Sequence, residues 1–253
     1  MHIDLNSDLG EGYGPWRMGD DAGILDCVTS ANVACGGHAG DPDTMYATLR
    51  LARERGVCVG AHPGYADRQG FGRRVIPMAP QEIATMVAAQ VGALQALGRL
   101  ADVPVRYVKP HGALGNLAAA DETTARTIVD TVRALDPSLA ILAISGTVLE
   151  KVARAAGLRT FSEVFADRAY LASGQLVPRQ RPGAVLHDPR EACDRLLAYL
   201  RTGRMPVVDG EPIVLAADSV CVHGDNEASL RMARDIRQCL AGEGYAVAAF
   251  VPR

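Results

Sequence analysis

The chain has 253 residues, 48% of them apolar and 22% charged, with a net charge of −3. That balance provides a sizeable core but no basic face for nucleic acid or an anionic membrane. No uninterrupted apolar run approaches the roughly 18 residues of a bilayer span, and the start, MHIDLNSDLGEG, lacks the basic and apolar parts of a signal peptide.

Short apolar runs alternate with longer amphipathic ones along the chain. A strand over residues 2–6 precedes a helix over 20–28, and a strand over 30–34 precedes a helix over 43–55. Strand 57–61 leads to helix 80–100, strand 106–109 to helix 122–135, and strand 139–144 to helix 146–156. Strand 160–165 leads to helix 189–202, and strand 219–222 to helix 227–242. Short runs at 206–209 and 213–216, and a last one at 246–251, are candidates to extend the sheet. Asp41-Pro42 and Asp188-Pro189 each set a capping carboxylate before a proline suited to a first helical turn. Gly56, Gly157 and Gly203 stand where helices end.

Seven strand–helix steps of even composition predict one α/β domain over 1–253, a parallel sheet closed into a TIM-like barrel. A doubly wound open sheet is the alternative. The segments 64–79 and 172–187 are rich in Gly, Pro and Arg and read as long functional loops. The six cysteines, at 27, 35, 58, 193, 221 and 239, form no CxxC motif. They read as mostly buried free thiols in a reducing compartment, and the chain as cytoplasmic.

The chemistry-bearing residues fall at strand ends. Asp8 and Glu11 follow the first strand, His38 the second, His62 the third, and Lys109 and His111 the fourth. Glu163, Asp167 and Arg168 end the sixth, and His223 and Asp225 the seventh. In a parallel barrel these ends open on one face, where such folds hold their active sites. Lys109 is one of only two lysines in an arginine-rich chain. Lysine differs from arginine in its compact charge and its ability to lose a proton. Lys151, on the solvated side of a helix, and His2 and His187 read as structural. Arg73, Arg74, Arg168 and Arg179 are candidates to hold a carboxylate or phosphate.

No GxxxxGK[ST] occurs, and Gly10-x-Gly12-x-Gly14 is not a dinucleotide fingerprint. No GxSxG nucleophile elbow occurs either. Asp8 with His38, His62 or His111 offers oxygen and nitrogen ligands, but no HxH or HxxxH spacing points to a metal. Cys221 reads as a small buried side chain.

The phrases DLNSDLGEG, NVACGGHAGDP, GAHPGYADRQGFGRR, VKPHGAL, EVFADRAY, LVPRQRPGA and VCVHGDN, in this order, resemble the LamB/YcsF family across residues 2–250. The resemblance implies a seven-stranded distorted barrel like those of sugar deacetylases. It further implies the A subunit of an ATP-hydrolysing 5-oxoprolinase working with subunits B and C. That enzyme converts 5-oxo-L-proline, ATP and water to L-glutamate, ADP and phosphate, with Mg2+ accompanying the nucleotide and the partners holding much of it. The motif positions carried over are Asp8, Glu11, His38, His62, Lys109, His111, Glu163, Asp167, His223 and Asp225. The resemblance also implies tyrosine where this chain has Gly115. A stand-alone metal-dependent amide hydrolase or deacetylase, and a non-catalytic substrate-binding subunit, are the rival readings.

Overall fold

The computed structural model describes residues 2–251. Seven parallel strands form the barrel: β1 (His2–Leu9), β2 (Ser30–Ala34), β3 (Cys58–His62), β4 (Val105–Val108), β5 (Ala140–Ile144), β6 (Thr160–Phe165) and β9 (Ser219–Cys221). The barrel closes because β1 is long enough to pair twice. Its start lies against β9, from Asp4↔Ser219 to Asn6↔Cys221, and its end against β2, from Asn6↔Ser30 to Leu9↔Val33. The open-sheet alternative is therefore excluded.

Helices α1 (Asp21–Leu25), α2 (Pro42–Arg55), α3 (Pro80–Ala101), α4 (Gly112–Ala118), α5 (Glu122–Leu135), α6 (Val148–Ala155), α7 (Pro189–Thr202) and α8 (Glu227–Gly242) accompany the barrel. Asp41 and Asp188 cap α2 and α7 as their side chains suggest, and Gly56 and Gly203 end those helices in the left-handed region. Helix α3 is long and apolar enough to cross a bilayer by composition, but here it buries Ile83, Val87, Val91 and Leu94 in the common core.

Several elements depart from expectation. Helix α4 is weak by sequence, with two glycines in seven residues, and has no side-chain cap. It is anchored instead by the Ala113 N–H donating to the Gly72 carbonyl. Of the expected pair, the run at 213–216 is met by the shorter β8 (Ile213–Val214), while that at 206–209 is displaced to β7 (Arg204–Met205); the two form an antiparallel ribbon outside the barrel. Pro206 has no N–H with which to continue that ladder. The last run contributes only β10 (Ala246–Val247), beside His2 and Ile3. Beyond it, Phe250 packs on Tyr107 and Phe161, with ring centroids 4.9 and 4.7 Å away. Cys193 and Cys239 are joined as a disulfide, which ties α7 to α8 and corrects the free-thiol reading for that pair. The other four cysteines are buried.

Alternation along β1 sends Asp4, Asn6 and Asp8 to one face, and that face is the barrel interior. Asp4 accepts from the hydroxyls of Thr29 and Ser30, both at 2.6 Å, and from Ser219. Asn6 donates to Ser219 at 2.7 Å, and Asn32 donates to both Asn6 and Asp8 at 2.7 and 2.8 Å. The Tyr107 hydroxyl donates to Asn32 at 2.7 Å. Its ring lies over Gly60, where a Cβ would come within 2.2 Å of it. The interior is thus a satisfied polar ladder leading upward to the strand ends, as buried polar groups require.

Burial pushes the Asp4 carboxyl up to about 6, from 3.8, against the opposing pull of its three hydroxyl donors. The folded chain then keeps this proton to higher pH than the unfolded chain, so stability falls as pH rises from about 4 to about 6 and stays lower above that. Asp4→Asn removes this dependence. In urea unfolding between about pH 4 and pH 7, the variant's stability relative to wild type should shift in the variant's favour by up to about 3 kcal/mol. A constant difference would show that Asp4 does not titrate there.

Candidate active site

The ladder ends at Lys109, one residue beyond β4. Its ammonium crosses the barrel to four groups: Glu163 Oε1 at 2.7 Å, Asp8 Oδ1 at 3.1 Å, Asn6 Oδ1 at 3.2 Å and Cys221 Sγ at 3.4 Å. Three strands, β1, β6 and β9, thereby meet on one nitrogen. Burial favours the neutral amine, but the carboxylates of Asp8 and Glu163 override it and hold the proton well above the ordinary lysine value. Of the two properties that set lysine apart from arginine, this environment favours the compact charge over loss of the proton. A planar guanidinium fork does not match acceptors converging from several walls onto one point. Burial pushes Asp8 up, but His62 and Lys109 outweigh it and keep the carboxylate well below its ordinary value. Cys221 is fully buried beside the ammonium, with its thiol pushed up by burial.

Next to this pair lie three histidines. His38 and His111 stack with centroids 3.5 Å apart and planes 2° from parallel, and His62 stands edge-on to both. Gly72 permits the stack, because a Cβ there would lie 2.7 Å from His38 Cβ and 2.9 Å from His111 Cδ2. His62 Nδ1 donates to the Lys109 carbonyl at 2.6 Å, and His111 Nε2 donates to the Phe71 carbonyl at 2.8 Å. Glu11 Oε1 lies 3.2 Å from His38 Nε2 and 3.8 Å from His111 Nδ1. His62 Nε2 is 3.3 Å from Asp8 Oδ2. Burial, then the charge of Asp8, pushes Glu11 up to about 8. Burial and the neighbouring imidazoles hold His38 and His111 well below the ordinary histidine value.

A third group faces these across the mouth. His223 Nδ1 donates to Asp167 Oδ2 at 2.7 Å, while Arg179 Nη2 donates to His223 Nε2 at 2.9 Å. Burial lowers the proton affinity of His223, but Asp167 outweighs it and raises the ring above its ordinary value. The ring is thus oriented and made more basic, as a proton-accepting group requires.

The three groups surround one cavity of about 490 Å³, lined by Asp8, Glu11, His62, Lys109, His111, Glu163, His223 and Asp225, and by Arg73, Arg168 and Arg179. The remaining predicted residues lie off its wall. His38 is buried behind His111, and Asp167 is buried behind His223. Arg74 is not at the site: it pairs with Asp67 on the outside of its loop. Arg168 is committed to the carbonyls of Val177 at 2.7 Å and Ala184 at 3.3 Å, so it fastens the 172–187 loop. Gly115 lines the cavity, and a Cβ there would lie 2.5 Å from the Pro110 carbonyl oxygen. The local backbone is therefore fitted to glycine.

The sequence reading did not assign Asn32, Tyr107 or Arg195. Polar residues at alternate positions of β1 and β2 signal the first. Arg195 on α7 gives no such signal, yet it reaches the carbonyls of Phe165 and Ala166, each at 3.2 Å, and of Arg168 at 2.5 Å, bracing the end of β6.

Removing the ammonium leaves Asp8 and Glu163 facing each other without their shared cation. Lys109→Met should therefore cost about 3–5 kcal/mol of unfolding free energy at neutral pH, as loss of one partner from a buried pair does. Adding Glu163→Gln should restore at least half of that loss, measured by a double-mutant cycle in urea. Strict additivity would deny the coupling.

The sequence matches the LamB/YcsF family over residues 3–252. A protein of Paracidovorax citrulli, named as the A subunit of 5-oxoprolinase, is 53% identical over 250 residues, covering 99% of this chain and 100% of that one. A protein of the same name from Syntrophobacter fumaroxidans is 49% identical, covering 98% of each. The crystal structure of a lactam utilization protein from Thermus thermophilus superposes with a TM-score of 0.93 at 44% identity, covering 98% of this chain and 100% of that one. A putative cellobiose-phosphate cleavage protein of Enterococcus faecalis, 11% identical with a TM-score of 0.59 over 98% of this chain and 97% of its own, shares the fold alone. The barrel, the ordered motifs and these full-length likenesses establish that the chain belongs to the LamB/YcsF family.

Proposed function

We propose that this chain is the A subunit of a 5-oxoprolinase, a hydrolase that opens the lactam of 5-oxo-L-proline to L-glutamate as ATP becomes ADP and phosphate. The observation that carries this reading is the cavity, where acid–base groups and cations converge from both sides. The names of the relatives support the choice of a lactam.

A five-membered lactam is a stabilised amide that water attacks slowly. Transfer of the γ-phosphoryl group of ATP to the lactam oxygen releases ADP and makes the ring carbon electrophilic. Water adds to that carbon and loses a proton to a base. The ring C–N bond then breaks as the nitrogen takes up a proton, leaving an acyl phosphate. A second water releases phosphate and completes the new carboxylate.

In this scheme His223 is the base, oriented by Asp167. Lys109 supplies fixed positive charge beside the reacting oxygen. Glu163 and Asp8 hold Lys109 in place. Arg179 and Arg73 receive the substrate carboxylate and the phosphoryl group. With no phosphate-binding loop of its own, the chain relies on subunits B and C for most of the ATP and its Mg2+, and it works in the cytoplasm where that nucleotide is supplied.

The test is ATP-dependent glutamate release from 5-oxo-L-proline by the chain alone and by the chain with B and C. Release only by the full assembly is expected. No release by a folded, complete assembly contradicts the reading, and ATP-independent amide hydrolysis by the chain alone favours a stand-alone hydrolase. Within the assembly, Asp167→Asn should lower kcat by about 10²-fold with KM little changed, whereas Arg179→Ala should raise KM about tenfold or more. If both variants move only KM, the chain is a non-catalytic binding subunit.

A further inference from the structure

We propose that Glu11, His38, His62 and His111 form a site for one divalent cation of the zinc type. The argument starts from two backbone carbonyls. A carbonyl oxygen only accepts hydrogen bonds, so the Lys109 carbonyl fixes the proton of His62 on Nδ1, and the Phe71 carbonyl fixes that of His111 on Nε2. The remaining ring nitrogens, His62 Nε2 and His111 Nδ1, then point lone pairs at each other across 3.0 Å. Two acceptors at that distance repel unless a proton on one of them or a metal cation lies between or beside them, and of these only the cation also engages His38 and Glu11.

A cation fits the rest of the geometry. The four ligand atoms lie within 4.8 Å of one another. Bonds of about 2.0–2.1 Å in a tetrahedral zinc site separate the ligand atoms by about 3.3 Å. The spacings of 3.0 Å for His62–His111, 3.2 Å for His38–Glu11 and 3.8 Å for His111–Glu11 lie near that value, and the wider pairs, up to 4.8 Å, must draw in around the ion. Imidazoles that donate their other N–H to a backbone carbonyl have the outer support that metal-binding histidines carry. Three nitrogens and one carboxylate suit zinc, cobalt or nickel and are poor ligands for magnesium or calcium, which take oxygen. Asp8 Oδ2, 3.3 Å from His62 Nε2, brings a second carboxylate to the rim.

Glu11, His62 and His111 line the cavity, so one side of the bound ion would face substrate. There it could polarise the lactam oxygen or a water, a role that rests on the proposed function; binding of the ion does not.

The test uses the purified full-length chain, stripped with a chelator and titrated with Co2+. One equivalent should bind and give the visible absorption of a mixed nitrogen–oxygen site, and Zn2+ should abolish that absorption by displacement. His62→Ala and His111→Ala should weaken binding at least 100-fold, and Glu11→Gln, which keeps the side-chain shape and secures the result if the alanine variants misfold, about tenfold. His187→Ala, exposed and outside both the cavity wall and the histidine cluster, serves as the control and should bind as wild type does. Absence of stoichiometric Co2+ binding by the folded wild-type chain, or undiminished binding by Glu11→Gln and His111→Ala, overturns the proposal. Because binding is read on the chain alone, a positive titration stands even if the assembled subunits release no glutamate.

Discussion

A single buried ammonium organises this barrel. Lys109 draws Asp8 from β1 and Glu163 from β6 to within 3.1 Å and 2.7 Å of one nitrogen, with Cys221 of β9 beside it. Moving three ionised groups into a protein interior costs several kcal/mol each, and only close pairing offsets that cost. The strands that supply the groups must therefore hold their registers, and the polar ladder below, from Asp4 through Asn6 and Asn32, satisfies what the ion pairs leave over. Polar contacts thus occupy interior positions that apolar layers fill in many barrels of this type.

The same lysine links the floor of the barrel to the chemistry above it. Its backbone carbonyl orients His62, and its side chain holds Asp8, which faces the other edge of that imidazole. His111 is oriented independently, by the loop that carries Phe71, and Gly72 lets that loop lie against the stacked rings. Across the mouth, His223 and Asp167 form a separate unit whose exposed side meets Arg179. The two histidine units thus stand on opposite sides of one cavity whose wall also carries Arg73 and Arg179.

Much of this was legible in the sequence, and for physical reasons. Strand and helix periods, with Asp-Pro caps at 41–42 and 188–189, predict the strand–helix alternation, because those signals are local. The gathering of Asp8, His62, Lys109 and His223 follows from parallel strands having their carboxyl ends on one face. Other features depend on partners distant in sequence and were not legible. Helix α4 forms because the Gly72 carbonyl is there to receive Ala113. Arg74 looks identical to Arg73 in sequence, yet Asp67 draws it to the outside. The pairing of Cys193 with Cys239 needs the packing of α7 on α8, which no spacing rule supplies. The histidine cluster lacks any metal-binding spacing because its members come from three different strand ends.

The chain has only two lysines, Lys109 and the exposed Lys151, so selective 15N labelling of lysine side chains gives two signals and reads the central ammonium directly. Following the Nζ resonances by NMR as pH is raised, with Lys151→Arg to assign them, tests whether the barrel is built on a buried cation. The Lys109 signal should remain that of a protonated amine, with protected N–H groups, past the point near 10.4 where an ordinary lysine titrates. Loss of its proton at or below that value would contradict the account, since Asp8 and Glu163 would then be facing a neutral amine.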